Sequence, residues 1–134
     1  MRLLIDTNIV LEVLLAQEHA DEARALLSAS DRVDLFLSDF AVHSIGLLLF
    51  RRGLHGVFRE FLEDVVQRAG VAVVGLRVED MEAVINAAQK FRLDFDDAYQ
   101  YVVAEKYALS IVSFDQDFDR TYRGRKTPAE VIAE

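Results

Sequence analysis

Four short runs of the chain, "RLLI", "VDLFLS", "VAVVGL" and "SIVSFD", are apolar without the polar alternation of a strand that has one wet face. Strands greasy on both sides need cover on both sides. The cover is present in sequence order. "IVLEVLLA" and "HADEARALLSA" read as a broken helical hairpin, and "DFAVHSIGLLLFRRG" as a mostly apolar helix ending at Gly53. "VFREFLEDVVQRAG" is amphipathic, with Val57, Phe61, Leu62, Val65 and Val66 on one side. "VEDMEAVINAAQKFRL" and "DDAYQYVVAEKYAL" predict two more helices, and "TPAEVIAE" a last turn with Thr127 as cap and Pro128 in the first position. Alternation of this kind predicts an α/β fold with three layers, α/β/α, around a central, mainly parallel sheet of four to five strands. The 134 residues fit a single domain, 1–134, with no repeat or linker and enough length to bury a core.

In open parallel sheets, ligands sit beyond the carboxyl ends of the strands. Asp6 follows the first apolar run, Ser38 and Asp39 the second, and Asp115 the last. Each acid also has a plain structural explanation. "Asp-Thr-Asn" at 6–8 is good helix-capping chemistry, Asp97 with Gln100 fits a capping box, and Asp94 with Asp97 a weaker one. "SFDQDFDR" reads equally as a solvated turn pinned by Phe114 and Phe118. Together the acids say more. Between Asp94 and Asp119 stand seven acids and a single lysine, Lys106. A face built for solubility intersperses both signs, so this density asks for a cation. Hard ions such as Mg²⁺ or Mn²⁺ take oxygen ligands, and a pair of them can activate water for phosphodiester cleavage.

Other chemistries lack their residues. There is no cysteine, which excludes disulfides, thiolate nucleophiles and zinc–thiolate sites. GxxxxGK and GxGxxG turns are missing, as is HExxH, and His19, His43 and His55 are scattered. No serine sits on a Gly-flanked sharp turn. A phosphoaspartate enzyme would want a second Asp where Asn8 stands. The net charge of −8 argues against a broad basic surface but not against a metal-dependent enzyme acting on nucleic acid. Asp6 breaks any signal-peptide core, and no uncharged run reaches the roughly 18 residues of a bilayer span, so a soluble, cytoplasmic protein with no membrane role is expected.

"LLIDTNIVLEVLL" resembles the first motif of PIN domains, particularly the VapC type of toxin–antitoxin ribonuclease. "DFDDAYQYVVAEKYALSIVSFDQDF" resembles that family's paired later motifs. The resemblance covers nearly the whole chain and implies a PIN-like fold. It implies metal-binding and catalytic roles for Asp6, Asp97 and Asp115, an additional metal-binding acid in Asp117, and supporting polar roles for Thr7, Asn8 and Ser113. The cofactor it implies is Mg²⁺ or Mn²⁺, and the partners are an RNA substrate, a cognate antitoxin and a second copy in a homodimer. One motif departs. The family usually carries a glutamate about six residues after the strand-end serine; counting from Ser38 reaches Ser44, beside His43. A catalytically weakened binding module is therefore the alternative to an active endoribonuclease. Arg120, Arg123, Arg125 and Lys126 follow the acidic turn and are either RNA-phosphate contacts or a solvated terminus; Arg51 and Arg52 pose the same choice. The run Leu47 to Phe50 makes its helix apolar all round, which demands burial by the core or by a partner.

Overall fold

A computed structural model describes residues 1–29 and 31–134. The four apolar runs form strands β1 (Arg2–Ile5), β2 (Asp34–Ser38), β3 (Ala72–Val74) and β4 (Ser110–Val112). They make one parallel sheet in the order β3-β2-β1-β4, with Leu3 opposite Leu35 on one side and Ser110 on the other. Helices α1 (Thr7–Leu14) and α2 (Ala20–Leu27) follow β1, and α3 (Asp39–Arg51) and α4 (His55–Phe61) follow β2. Helices α5 (Met81–Phe91) and α6 (Phe95–Tyr107) follow β3, and α7 (Pro128–Ala133) ends the chain.

The strand order explains the layers. From β1 to β3 the chain steps one way across the sheet, then returns past β1 to lay down β4. With right-handed crossovers, reversing the step moves the connecting helices to the opposite face. One core cluster accordingly joins Leu3, Ile5, Leu35, Leu37 and Val112 to buried residues of α1 to α4 and α7. The other joins Leu4 and Ile111 to α5 and α6. The result is the α/β/α arrangement expected, with four strands.

Local chemistry sets the element ends. Asp6, Ser38, Asp94 and Thr127 cap α1, α3, α6 and α7 through side-chain oxygens that accept backbone N–H groups. The cap of α6 corrects one reading: Asp94, not Asp97, begins that helix, and Gln100 turns inward instead of closing a capping box. Strand β3 is shorter than "VAVVGL" because the next backbone groups are taken elsewhere. The Leu76 N–H donates to the Tyr99 hydroxyl (3.1 Å) and the Tyr107 hydroxyl donates to the Gly75 carbonyl (2.8 Å). After α4 the helix widens into a π-type segment, Leu62–Arg68, which keeps Leu62, Val65 and Val66 against the core. Helix α3 is not covered all round by its own chain: Leu49 is buried, whereas Leu47 and Phe50 are 58% and 54% exposed.

The two sheet edges differ. At β4, the Lys126 N–H donates to the Ile111 carbonyl (2.8 Å) and the Ser113 N–H to the Lys126 carbonyl (3.0 Å), so a returning segment occupies that edge. At β3 the edge is only three residues long.

Candidate active site

The strand order reverses between β1 and β4, and a crevice forms there, beyond their carboxyl ends. The Asp6 N–H still pairs with the Val112 carbonyl (3.0 Å), so β1 and β4 stay locked together where the Asp6 side chain turns into the crevice. That carboxylate is held on every side. It accepts from the Thr7 N–H (2.9 Å), Gln100 Nε2 (3.2 Å), Asn8 Nδ2 (3.3 Å) and the Ser113 hydroxyl (2.7 Å). The Ser113 Oγ, wholly buried, also accepts from the Asp115 N–H (2.9 Å) and from Asn8 Nδ2 (3.1 Å). One hydroxyl thereby ties the carboxyl ends of both strands to the loop bearing the next acid. Burial pushes the Asp6 carboxyl above the usual carboxylate range; the Ser113, Gln100 and Thr7 bonds pull it back, and Asp115 adds repulsion.

Opposite Asp6, the first turn of α6 brings Asp97 into the crevice. Oxygens of Asp97, Asp115 and Asp117 lie within 4.8 Å of one another. Asp115 accepts the Asp117 N–H (2.8 Å), which bends "DQD" so that both acids face the same way. Asp97 is pushed up to about 8, first by burial and then by the charges of Asp115, Asp94 and Asp6. The cavity, about 270 Å³, is lined by Asp6, Asp94, Asp96, Asp97 and Asp115 together with Thr7, Asn8, Ser44 and Gln100. Donors that are all oxygen, mostly anionic and crowded enough to hold a proton against their nature suit a hard divalent ion. The residues fit the metal that the sequence implied.

Asp6, Thr7, Asn8, Asp97 and Asp115 line one cavity; Ser113 lies beneath it, and Asp117 joins the tight acid cluster at its edge. Ser44 lines the same cavity, so the position of the missing glutamate does face the acids. His43 instead faces a neighbouring groove. The four tail cations are engaged within the chain and do not line the cavity. Arg120 binds Asp117 (2.9 Å) and the Phe91 and Arg92 carbonyls, and Arg123 the Leu109 carbonyl. Arg125 binds Asp119 and the Ser113 carbonyl, and Lys126 the Glu134 carboxylate.

Three lining residues escaped sequence reasoning. Asp94 reads only as capping chemistry and Asp96 only as a member of an acidic run, although "DFDD" before a helix places several carboxylates on its first turn. Gln100 looked like capping chemistry. In the fold it sits one turn past Asp97, 2% exposed, with its amide nitrogen on Asp6 and its Oε1 without a partner among the described residues.

A family model for the PIN domain matches residues 3–124. Solved structures share the fold at low identity. VapC20 of Mycobacterium tuberculosis, described as a toxin that cleaves the sarcin–ricin loop, superposes with a TM-score of 0.76 at 20% identity, over 94% of this chain and 99% of that one. A toxin–antitoxin complex from Klebsiella pneumoniae gives 0.70 at 18%, covering 93% and 96%. The FitAcB structure from Neisseria gonorrhoeae gives 0.68 at 22%, covering 95% and 98%. Sequence comparison with curated proteins finds no significant match.

Proposed function

The chain belongs to the PIN domain family, and from that premise we propose that it is a divalent-metal-dependent endoribonuclease, the toxin of a toxin–antitoxin pair. One observation carries the reading: five carboxylates from three segments distant in sequence line a single cavity at the switch point of a parallel sheet. Asp6, Asp97, Asp115 and Asp117 would hold Mg²⁺ or Mn²⁺, which when bound supplies an acidified water and charge neutralisation at a phosphodiester. Ser113, Asn8 and Gln100 fix the Asp6 carboxylate so that it arrives preorganised, without having to reorient as the substrate binds. Asp94 and Asp96 add the negative charge that Ser44 does not supply.

An antitoxin is the expected protein partner, since one of the structural neighbours is described as a toxin–antitoxin complex. A homodimer is the expected assembly, because the Phe50 end of α3 is uncovered by its own chain. Among the described residues, no helix is long and apolar enough to cross a membrane. The test is cleavage of structured RNAs with Mg²⁺ or Mn²⁺ by wild type, Asp6→Asn and Asp97→Asn. Wild type should cut and both variants should lose activity by orders of magnitude. An inert wild type, or variants that cut equally well, would end the reading.

Ser44 in the cavity wall favours a second reading, a binding module with weakened catalysis. Calorimetric titration with Mn²⁺ separates the two. Tight, carboxylate-dependent binding supports the enzyme, and near-absent binding with an antitoxin still captured supports the module.

A further inference from the structure

Beside the acidic cavity lies a second hollow of about 280 Å³, lined by Asp39, Phe40, His43, Ser44, Leu47 and Tyr99. Phe40 and Ser44 belong to the walls of both. The second hollow has a different character, mostly apolar with a single carboxylate. Phe40 packs on Tyr99 with ring centroids 5.2 Å apart, and Phe95 stands against both rings at 5.6 and 6.0 Å while leaving 52% of itself in solvent. Asp39 is fixed in place. Its Oδ1 accepts from the Phe40 N–H (2.8 Å) and the Tyr99 hydroxyl (2.8 Å), and a Cβ at Gly75 would collide with the carboxyl group. Its Oδ2 takes no hydrogen bond from any described residue.

We infer that this hollow is a nucleobase subsite, in which an unpaired base next to the scissile phosphate stacks on Phe40, whose ring Phe95 buttresses from the side, and offers an N–H to Asp39. The inference rests on the ribonuclease reading and adds to it the place where the base beside the scissile phosphate is held. Its basis is continuity. A nucleotide whose phosphate lies among the carboxylates and their cation carries its own base within reach of the adjoining wall, and one of the two residues shared there is a phenylalanine. Proteins that read unpaired RNA do so largely by stacking bases on aromatic side chains. A second copy fits poorly: each copy of this acidic chain would bring its own Asp39 and carboxylate cavity to the contact, setting like charges together. A cationic side chain finds five carboxylates next door and only one here.

The test is equilibrium binding of a fluorescently labelled short oligoadenylate to the full chain, with Ca²⁺ in place of Mg²⁺, for wild type, Phe95→Leu, Phe40→Leu and Phe40→Trp. A matched strand with abasic internal positions is the control, and circular dichroism checks the fold. One stacked base is worth a factor of roughly 5 to 150 in affinity. Phe40→Leu and Phe95→Leu should each weaken oligoadenylate binding about five-fold or more, Phe40→Trp should retain it, and the abasic strand should bind all four proteins alike. Phe95 is half exposed, so its variant remains informative if Phe40→Leu fails to fold. Leucine variants that bind oligoadenylate like wild type, or lose the same factor on the abasic strand, would overturn the inference while leaving the ribonuclease reading intact. So would leucine variants that shift only the oligomeric state. A wild type that neither binds nor cuts RNA would overturn both.

Discussion

Replacing Asp97 by Asn should make the metal-free protein more stable while destroying its proposed activity. Asp97 has an ordinary carboxylate value of 3.8 in the unfolded chain and about 8 in the fold. Between those values the folded state holds the proton that the unfolded state has released. Stability must therefore fall as pH rises through this window, with no penalty below 3.8 and the full penalty above about 8. Taken at face value, the gap sets an upper bound of about 5–6 kcal/mol, at ~1.36 kcal/mol per pH unit. The cavity opens to water, whose screening brings the penalty to roughly 2 kcal/mol. Asparagine has the same shape and no charge. At pH 8 with chelator, Asp97→Asn should melt about 6–10 °C above wild type, taking about 3–5 °C per kcal/mol at this chain length. The gap should close toward pH 4. Adding Mn²⁺ should raise the wild-type melting temperature and leave the variant nearly unmoved. Thermal melts followed by circular dichroism across this pH range decide the matter. A variant no more stable than wild type at pH 8, or a gap that does not depend on pH, would refute the electrostatic account.

Ser113→Ala strips Asp6 of its shortest bond and orphans the Asp115 N–H, so it should cost about 1–3 kcal/mol by denaturant melts and weaken Mn²⁺ binding by calorimetry. Gly75→Ala drives a methyl into the pinned Asp39 carboxylate and should cost about 1–3 kcal/mol, most of which should vanish in an Asp39→Ala background. Replacing Arg123 and Arg125 together should flatten the salt dependence of RNA binding by about two phosphates' worth if they touch the RNA backbone. An unchanged slope with a lowered melting temperature would confine them to the Leu109, Asp119 and Ser113 bonds.

The layers and the carboxyl edge were readable because they follow from short-range patterns. Unbroken apolar runs mean two covered faces, and acids directly after them mean a polar rim. What escaped depends on contacts distant in sequence. Gln100 resembles a capping partner of Asp97 three residues away, and only the fold shows that its amide reaches Asp6, ninety-four positions earlier. The "VAVVGL" run looks like a full strand until Tyr99 and Tyr107 claim the backbone at Leu76 and Gly75. Arg120, Arg123 and Arg125 look like a basic tail, yet each finds carbonyls to cap, an outcome set by where α5 and β4 end. The shared rim of acids was legible as an expectation, and the aromatic hollow beside it was not, since Phe40 and Phe95 lie on different helices.

The occupied flank of β4 has a consequence for how this molecule meets other proteins. An exposed row of peptide groups invites a stranger's extended segment to templated pairing, the route by which folded sheets recruit ligands or polymerise. Here the Lys126 segment fills one such row, and the opposite one offers the length of only three residues. Recruitment by main-chain zipping is closed off on one side and stunted on the other. Any inhibitor or sister subunit has to be recognised through side chains, and discrimination among rival partners can then be tuned residue by residue without disturbing the sheet.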